Sequence, residues 1–88
     1  MNTLDKKYIV YILECSDGTL YTGITNDLDH RLKMHNTGLG SKYTKSRLPV
    51  KCVYTESGYD KSSALKREIS IKKLSRKEKF ELIKNSPF

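Results

Sequence analysis

Two short β-prone runs lie close together near the start of the chain, and the residues between them leave little freedom in how they pair. Tyr8 to Glu14 (YIVYILE) is rich in β-branched and aromatic side chains, Ser16-Asp17-Gly18 is turn chemistry, and Thr19 to Ile24 (TLYTGI) is again β-prone. A type I turn over Ser16 and Asp17, followed by Gly18 in the left-handed region, makes the three-residue hairpin loop with a glycine bulge. That loop pairs Cys15 with Thr19, and counting back pairs Leu13 with Tyr21 and Tyr11 with Gly23. Side chains alternate across a strand, so Tyr11 and Tyr21 emerge on one face as diagonal neighbours. A two-residue turn would separate them.

The rest of the chain supplies one more strand and three helices. Asn26 is expected to cap a helix over 27–36 (DLDHRLKMHN), with Asp29 as a short capping-box partner and Gly38 beyond its end. Residues 37–49 form a basic loop carrying Lys42, Tyr43, Lys45 and Arg47, with room for a turn of helix. Val50 to Glu56 (VKCVYTE) alternates, which predicts a third strand ended by Ser57-Gly58. Asp60 caps a helix to about Lys73, and Ser75 to Glu78 (SRKE) is a full capping box opening a last short helix that Asn85 and Pro87 terminate. The expected fold is α/β of the α+β kind: a three-stranded antiparallel sheet flanked by helices in the order β-β-α-β-α-α. With 88 residues the chain makes a single domain, residues 1–88 with a core over about 8–83, and that core is thin.

Charge is distributed unevenly. The net charge is +7, and all of it falls in the second half of the chain. Between Lys61 and Lys84 stand nine basic residues, Lys72 and Lys73 among them, against Glu68, Glu78 and Glu81. A polyanion is the obvious partner, with a solvated lysine face as the plain alternative. The longest apolar run, IVYIL, is far short of the roughly 20 residues a bilayer span needs, and no charged-then-apolar leader precedes it. No membrane partner and a cytoplasmic location are therefore expected. Cys15 and Cys52 have no Cys or His at metal-ligand spacing and are expected to be reduced, small and buried.

Several polar residues sit where apolar ones would be unremarkable. On the first helix Leu28 and Leu32 define the inward stripe, and Arg31 and His35 stack at its edge. Taken singly they read as a snorkelling arginine and a hydrogen-bonded core histidine. On the third segment Ala64, Leu65, Ile71 and Leu74 mark an inward face, and Glu68 falls in its middle. Unpaired burial of a carboxylate costs several kcal/mol, so Glu68 must contact a cation: Arg31, a lysine, or a hard metal ion. Gly23 inside a strand, facing Tyr11, marks either a bulge or a close approach by a ligand or another group. Together with the co-facial Tyr11 and Tyr21 they make one site more economical than a series of separate accidents.

These residues resemble the GIY-YIG nuclease family. Its first element corresponds to Ile9-Val10-Tyr11 and its second to Tyr21-Thr22-Gly23; the helix arginine is Arg31, the following histidine His35, and the metal-binding glutamate Glu68. The resemblance spans residues 8 to about 83 and is nearest to the small stand-alone bacterial members, typified by VYILECSDGTLYTGITNDLDHRL and KYTKSRLPV. Ile9 replaces the leading glycine, Thr22 the middle residue of the second element, and Ile24 a basic residue that some members carry.

The resemblance implies a metal-dependent endonuclease acting on DNA, with repair or recombination as the family-level role and RNA as a further possible substrate. Glu68 would hold one Mg²⁺ or Mn²⁺ ion. Tyr11, helped by Tyr21 or His35, would accept the proton of an attacking water, and Arg31 would grip a phosphate oxygen. The family's usual products are a 5′-phosphate and a 3′-hydroxyl. Gly23, Lys42, Tyr43, Lys45, Arg47, Lys72 and Lys73 would contact substrate, with Tyr43 either stacking on a base or packing. Family members commonly carry a separate DNA-binding domain, so a protein partner supplying specificity is expected. The altered motif residues motivate the alternative of a non-catalytic nucleic-acid-binding module on the same scaffold; a small adaptor docking an acidic protein is a third reading.

Overall fold

The computed structural model describes residues 6–86 as β1 (Tyr8–Glu14), β2 (Leu20–Thr25), α1 (Leu28–Asn36), α2 (Lys42–Lys45), β3 (Lys51–Tyr59), α3 (Lys61–Lys72) and α4 (Arg76–Lys84). The hairpin forms in the register its loop dictates. Gly18 lies at φ +83°, Cys15 N donates to Thr19 O at 2.8 Å, and Leu13 pairs Tyr21 while Tyr11 pairs Gly23. The Asp17 carboxylate fixes the turn by accepting from the Thr19 amide and hydroxyl, at 3.1 and 2.6 Å.

The apolar run of β1 is explained by its place at the centre of the antiparallel sheet, in the order β2-β1-β3. Alternation divides its side chains between two cores. Val10 and Ile12 are buried with Tyr54, Ala64 and Ile71 beneath α3, while Tyr11 and Leu13 are buried with Cys15 and Val50 against Leu28 and Leu32 of α1. Asn36 joins α1 to the start of β3, donating to Val50 O at 3.0 Å and accepting from Val50 N at 2.8 Å.

Several boundaries differ from expectation for identifiable reasons. Thr25 Oγ1 accepts from Asp27 N at 3.0 Å, and the Asp27 carboxylate accepts from His30 N at 3.2 Å. Asp27, not Asn26, is therefore the N-cap, and Asp29 sits in the first turn, where its charge suits the helix dipole. Strand β2 runs one residue later than expected. Ser57-Gly58 does not end β3: Gly58, at φ +90°, absorbs a bulge between the Tyr8–Tyr59 and Val10–Glu56 pairs, and Tyr59 rejoins the core.

The Asp60 cap and the Ser75/Glu78 capping box form as the sequence predicts. On α3, however, Leu65 is 40% exposed, and Leu74, just beyond the helix, is only half-buried. The fully buried pair Ala64 and Ile71 sets the inward direction, and Leu65 lies about 100° round the helix from Ala64. Both cysteines are free; Cys15 is buried, but Cys52 is half-buried, its thiol directed at Tyr54 O. Asn85 is the C-cap of α4, and Pro87 lies outside the described residues. Among the described residues no helix is long and apolar enough to cross a membrane.

Candidate active site

Tyr11 is the centre of the site. It is only 1% exposed and lies directly over Gly23, where an added Cβ would stand 2.6 Å from the phenol oxygen. That contact answers what the strand glycine is for: the close approach is made by the Tyr11 ring. The Tyr11 and Tyr21 ring centroids are 6.5 Å apart, as diagonal placement requires, and the His35 ring meets both edge-on, at 6.0 and 5.3 Å. The Tyr11 hydroxyl and His35 Nε2 are 3.0 Å apart.

Arg31 and His35 thus leave the helix edge for the site. Arg31 Nη2 donates to Gly40 O at 3.1 Å, and its charge is felt at the Tyr11 phenol. Burial pushes that phenol above its ordinary value of 10.0; Arg31 opposes the rise, while Tyr21 and Glu68 add to it. His35 is fully buried, and burial, with the Arg31 charge second, holds the imidazole below its ordinary 6.5, so the ring is neutral at pH 7.

Sequence reasoning missed the support beneath His35. Its Nδ1 lies 2.9 Å from Thr44 Oγ1, and Thr44 is itself fully buried on α2, whose N-cap is Ser41. A Cβ on Gly40 would stand 2.1 Å from His35 Nδ1, so only glycine lets the loop close over the ring. These residues contact His35 across an irregular loop and leave no periodic signal. Tyr43 packs: its ring stacks on Tyr21 at 6.0 Å, and the Arg47 guanidinium lies 4.0 Å from its centroid. Arg47 completes the clasp by donating to Tyr43 O at 2.8 Å and pairing Asp17 at 3.0 Å.

Glu68 approaches from α3, on the other side of the sheet. Its side chain is 16% exposed and its cation is Lys72, one turn along, with N···O 3.4 Å. A cleft of about 280 Å³ wraps the β2 edge, lined by Leu20, Tyr21, Thr22, Tyr43, Lys72 and Lys79. Arg76 and Lys79 line its continuation beside Thr19 and Tyr43. Both were visible only as members of a charge run. Lys42 and Lys45 are exposed on α2, and Lys73 is exposed at the C-cap of α3, outside the lining of this cleft.

Among the described residues no three His, Cys, Asp or Glu side chains cluster as a metal cage. A single half-buried carboxylate, near enough for its charge to raise the Tyr11 phenol, suits instead a hard ion that keeps most of its waters.

The three-stranded sheet thus gathers Tyr11, Tyr21, Arg31 and His35 on one face, with Glu68 on α3. Residues 7–81 match the GIY-YIG catalytic domain, and the chain belongs to the GIY-YIG family. Within it the chain is similar to the small UPF0213 proteins. That of Syntrophus aciditrophicus (strain SB) is 58% identical over 85 residues, covering 96% of this chain and 97% of that one. The UPF0213 protein of Oceanobacillus iheyensis is 50% identical, covering 91% and 93%. The solution structure of the UPF0213 protein from Bacillus halodurans has TM-score 0.56 at 45% identity, covering 88% of this chain and 82% of that one. A solution structure from E. faecalis has TM-score 0.61 at 40% identity, covering 91% and 85%.

Proposed function

We propose that the protein is a metal-dependent endonuclease that hydrolyses phosphodiester bonds in DNA. One observation carries this reading: the Tyr11 phenol meets His35 at 3.0 Å and feels the charges of Arg31 and Glu68, while the neighbouring Tyr21 lines a basic cleft. Glu68 would hold one Mg²⁺ or Mn²⁺ ion, which supplies charge neutralisation at the scissile phosphate and its leaving oxygen. Arg31 uses one donor on Gly40, and its five-donor fork has capacity for a phosphate oxygen. Tyr11, as phenolate, accepts the proton of the attacking water, and the Arg31 charge favours that form. Because burial raises the phenol, little phenolate exists at pH 7, and cleavage should climb steadily from pH 7 to pH 9. A rate that falls over that range would remove Tyr11 as the base.

The decisive comparison is Mg²⁺- or Mn²⁺-dependent cleavage of end-labelled single-stranded, duplex, flapped and branched DNA, and of RNA, by the wild type and Glu68→Ala. Products that vanish in the variant support the nuclease; equal activity removes the metal assignment. A binding module is favoured by one observation, that Tyr11 and His35 are almost wholly buried and Glu68 already has Lys72. It predicts salt-sensitive binding with no cleavage of any substrate. A role in repair or recombination, with a protein partner choosing the substrate, fits a catalytic domain of this size.

A further inference from the structure

Glu68 and Lys72 stand one turn apart on α3 but in different surroundings. The Glu68 side chain is 16% exposed, and its charge is felt at the Tyr11 phenol. The Lys72 side chain is 52% exposed and lines the cleft along β2 with Tyr21, Tyr43 and Lys79. Its ammonium nevertheless turns to a Glu68 oxygen, with N···O 3.4 Å. One cation therefore belongs both to the carboxylate and to the cleft.

An ammonium and a divalent ion on one carboxylate compete for its oxygens and repel each other. The ion pair itself is weak, because solvent screens an i,i+4 pair with a half-exposed lysine and the long side chain gives up rotamer freedom to hold it. When the pair parts, the lysine is the partner that moves: its stem is long and open to the cleft, whereas the carboxylate is enclosed. Lys79 adds a second positive charge to that cleft, so an entering phosphate is drawn to within reach of Lys72.

We propose that Lys72 is a counter-ion switch: with the cleft empty it neutralises Glu68 and weakens metal binding there, and when a phosphate group enters the cleft it transfers to the phosphate and frees the carboxylate. Nucleic acid and metal then bind with positive coupling, each tightening the other by the same factor. The Glu68–Lys72 pair, which taken alone favours a module without metal, becomes the resting form of a site that substrate completes. The inference rests on the nuclease reading for the role of Glu68 as metal holder.

The test is titration of Mn²⁺ alone, followed by the EPR signal of the free ion, into the wild type, Lys72→Met, Lys73→Met and Glu68→Gln, with circular dichroism to confirm folding. Methionine keeps the apolar stem and removes the charge. Lys73, one residue further on, is exposed and outside the cleft lining, so its variant controls for net charge. Lys72→Met should bind Mn²⁺ roughly threefold or more tightly than the wild type, while Lys73→Met should stay within about 1.5-fold of it. Glu68→Gln should lose the ion. A second arm measures the affinity for end-labelled single-stranded and duplex DNA in EDTA across Glu68→Gln, Lys72→Met and the double variant. Glu68→Gln, which releases Lys72, should tighten DNA binding by roughly twofold or more, and that gain should vanish when Lys72 is already methionine. Equal Mn²⁺ affinity in the wild type and Lys72→Met, or the same rise in Lys73→Met, overturns the switch and leaves Glu68 as metal holder if Glu68→Gln has lost the ion. Mn²⁺ binding that survives Glu68→Gln, or is absent from every chain, removes the metal assignment and the switch with it. A gain in DNA affinity of the same size with and without Lys72 overturns the transfer to phosphate.

Discussion

The sheet carries tyrosines and an arginine on each side, and the two clusters are wired in opposite ways. Beneath α3, the Tyr54 and Tyr59 hydroxyls both donate to Glu56, and Arg67 grips the same carboxylate through Nε and Nη2, each at 2.8 Å. The result is closed. Arg67 above all, with the phenols, pulls Glu56 down to about 2, while burial and the bond to Glu56 push Tyr54 up to about 12. Across the sheet the Tyr11 phenol meets a histidine, with the Arg31 charge nearby, rather than a carboxylate, and back on α3 Glu68 pairs, among the described residues, with a lysine of its own helix. Similar residue types tie β3 to α3 where every acceptor is occupied, and offer chemistry where capacity is left over.

Removing the charge from each carboxylate should separate these roles. Glu56→Gln leaves Arg67 facing a neutral amide and should cost about 2–3 kcal/mol, which for a domain this small is a Tm lower by roughly 10–20 °C. Cleavage by the folded fraction should be unchanged. Glu68→Gln gives up only an i,i+4 pair, about 0.3–0.5 kcal/mol, yet should lose cleavage by two orders of magnitude or more. Thermal melts and single-turnover cleavage on both variants check this; the reverse pattern would break the comparison.

Acid should attack the closed cluster first. The Glu56 pKa is depressed from an ordinary 4.5 to about 2, so its contribution is fully present above pH 4.5 and is lost as pH falls towards 2. Allowing for solvent around the one-third-exposed Arg67 side chain, that loss is on the order of 2 kcal/mol. Urea midpoints measured from pH 6 to pH 2.5 should fall in the wild type. In Glu56→Gln the slope should be shallower, and equal slopes would show that other carboxylates govern acid stability.

A smaller effect is expected where backbone meets ring. Gly23→Ala places a methyl 2.6 Å from the Tyr11 oxygen and 2.7 Å from Cζ, contacts that must be relieved by moving the ring. Overpacking of this kind costs about 1–3 kcal/mol. A crystal or solution structure of the variant should show Tyr11 parted from His35, and an unmoved Tyr11 would contradict the packing origin of Gly23.

How far the sequence revealed this site depended on the range of the contacts. The Tyr11–Gly23 register follows from a local loop with a left-handed glycine, and Glu68 stands out because a charge interrupts an apolar stripe. Thr44 and Gly40 gave no such sign, since what defines them is contact with His35 across an irregular loop. Glu56 looked like an ordinary residue of an alternating strand. Only the docking of α3 supplies Arg67 and turns that residue into a hub. The end of β3 was misplaced for a related reason: Ser57-Gly58 has turn chemistry, but the packing of Tyr59 keeps the chain in the sheet.

The smallest effect expected concerns the basic residues, which composition alone treats as equivalent. Lys79 and Arg76 line the cleft that begins at Tyr21, whereas Lys73 stands exposed at the end of α3 outside it. A lysine that neutralises a phosphate contributes about one unit to the slope of log affinity against log salt, and a solvated lysine contributes little. Lys79→Ala should therefore flatten that slope by about one unit on any DNA sequence, while Lys73→Ala should leave it nearly unchanged. Filter binding between 50 and 200 mM salt distinguishes them. Equal slopes in the two variants would mean that the bound strand follows the general positive field of the second half of the chain rather than the cleft.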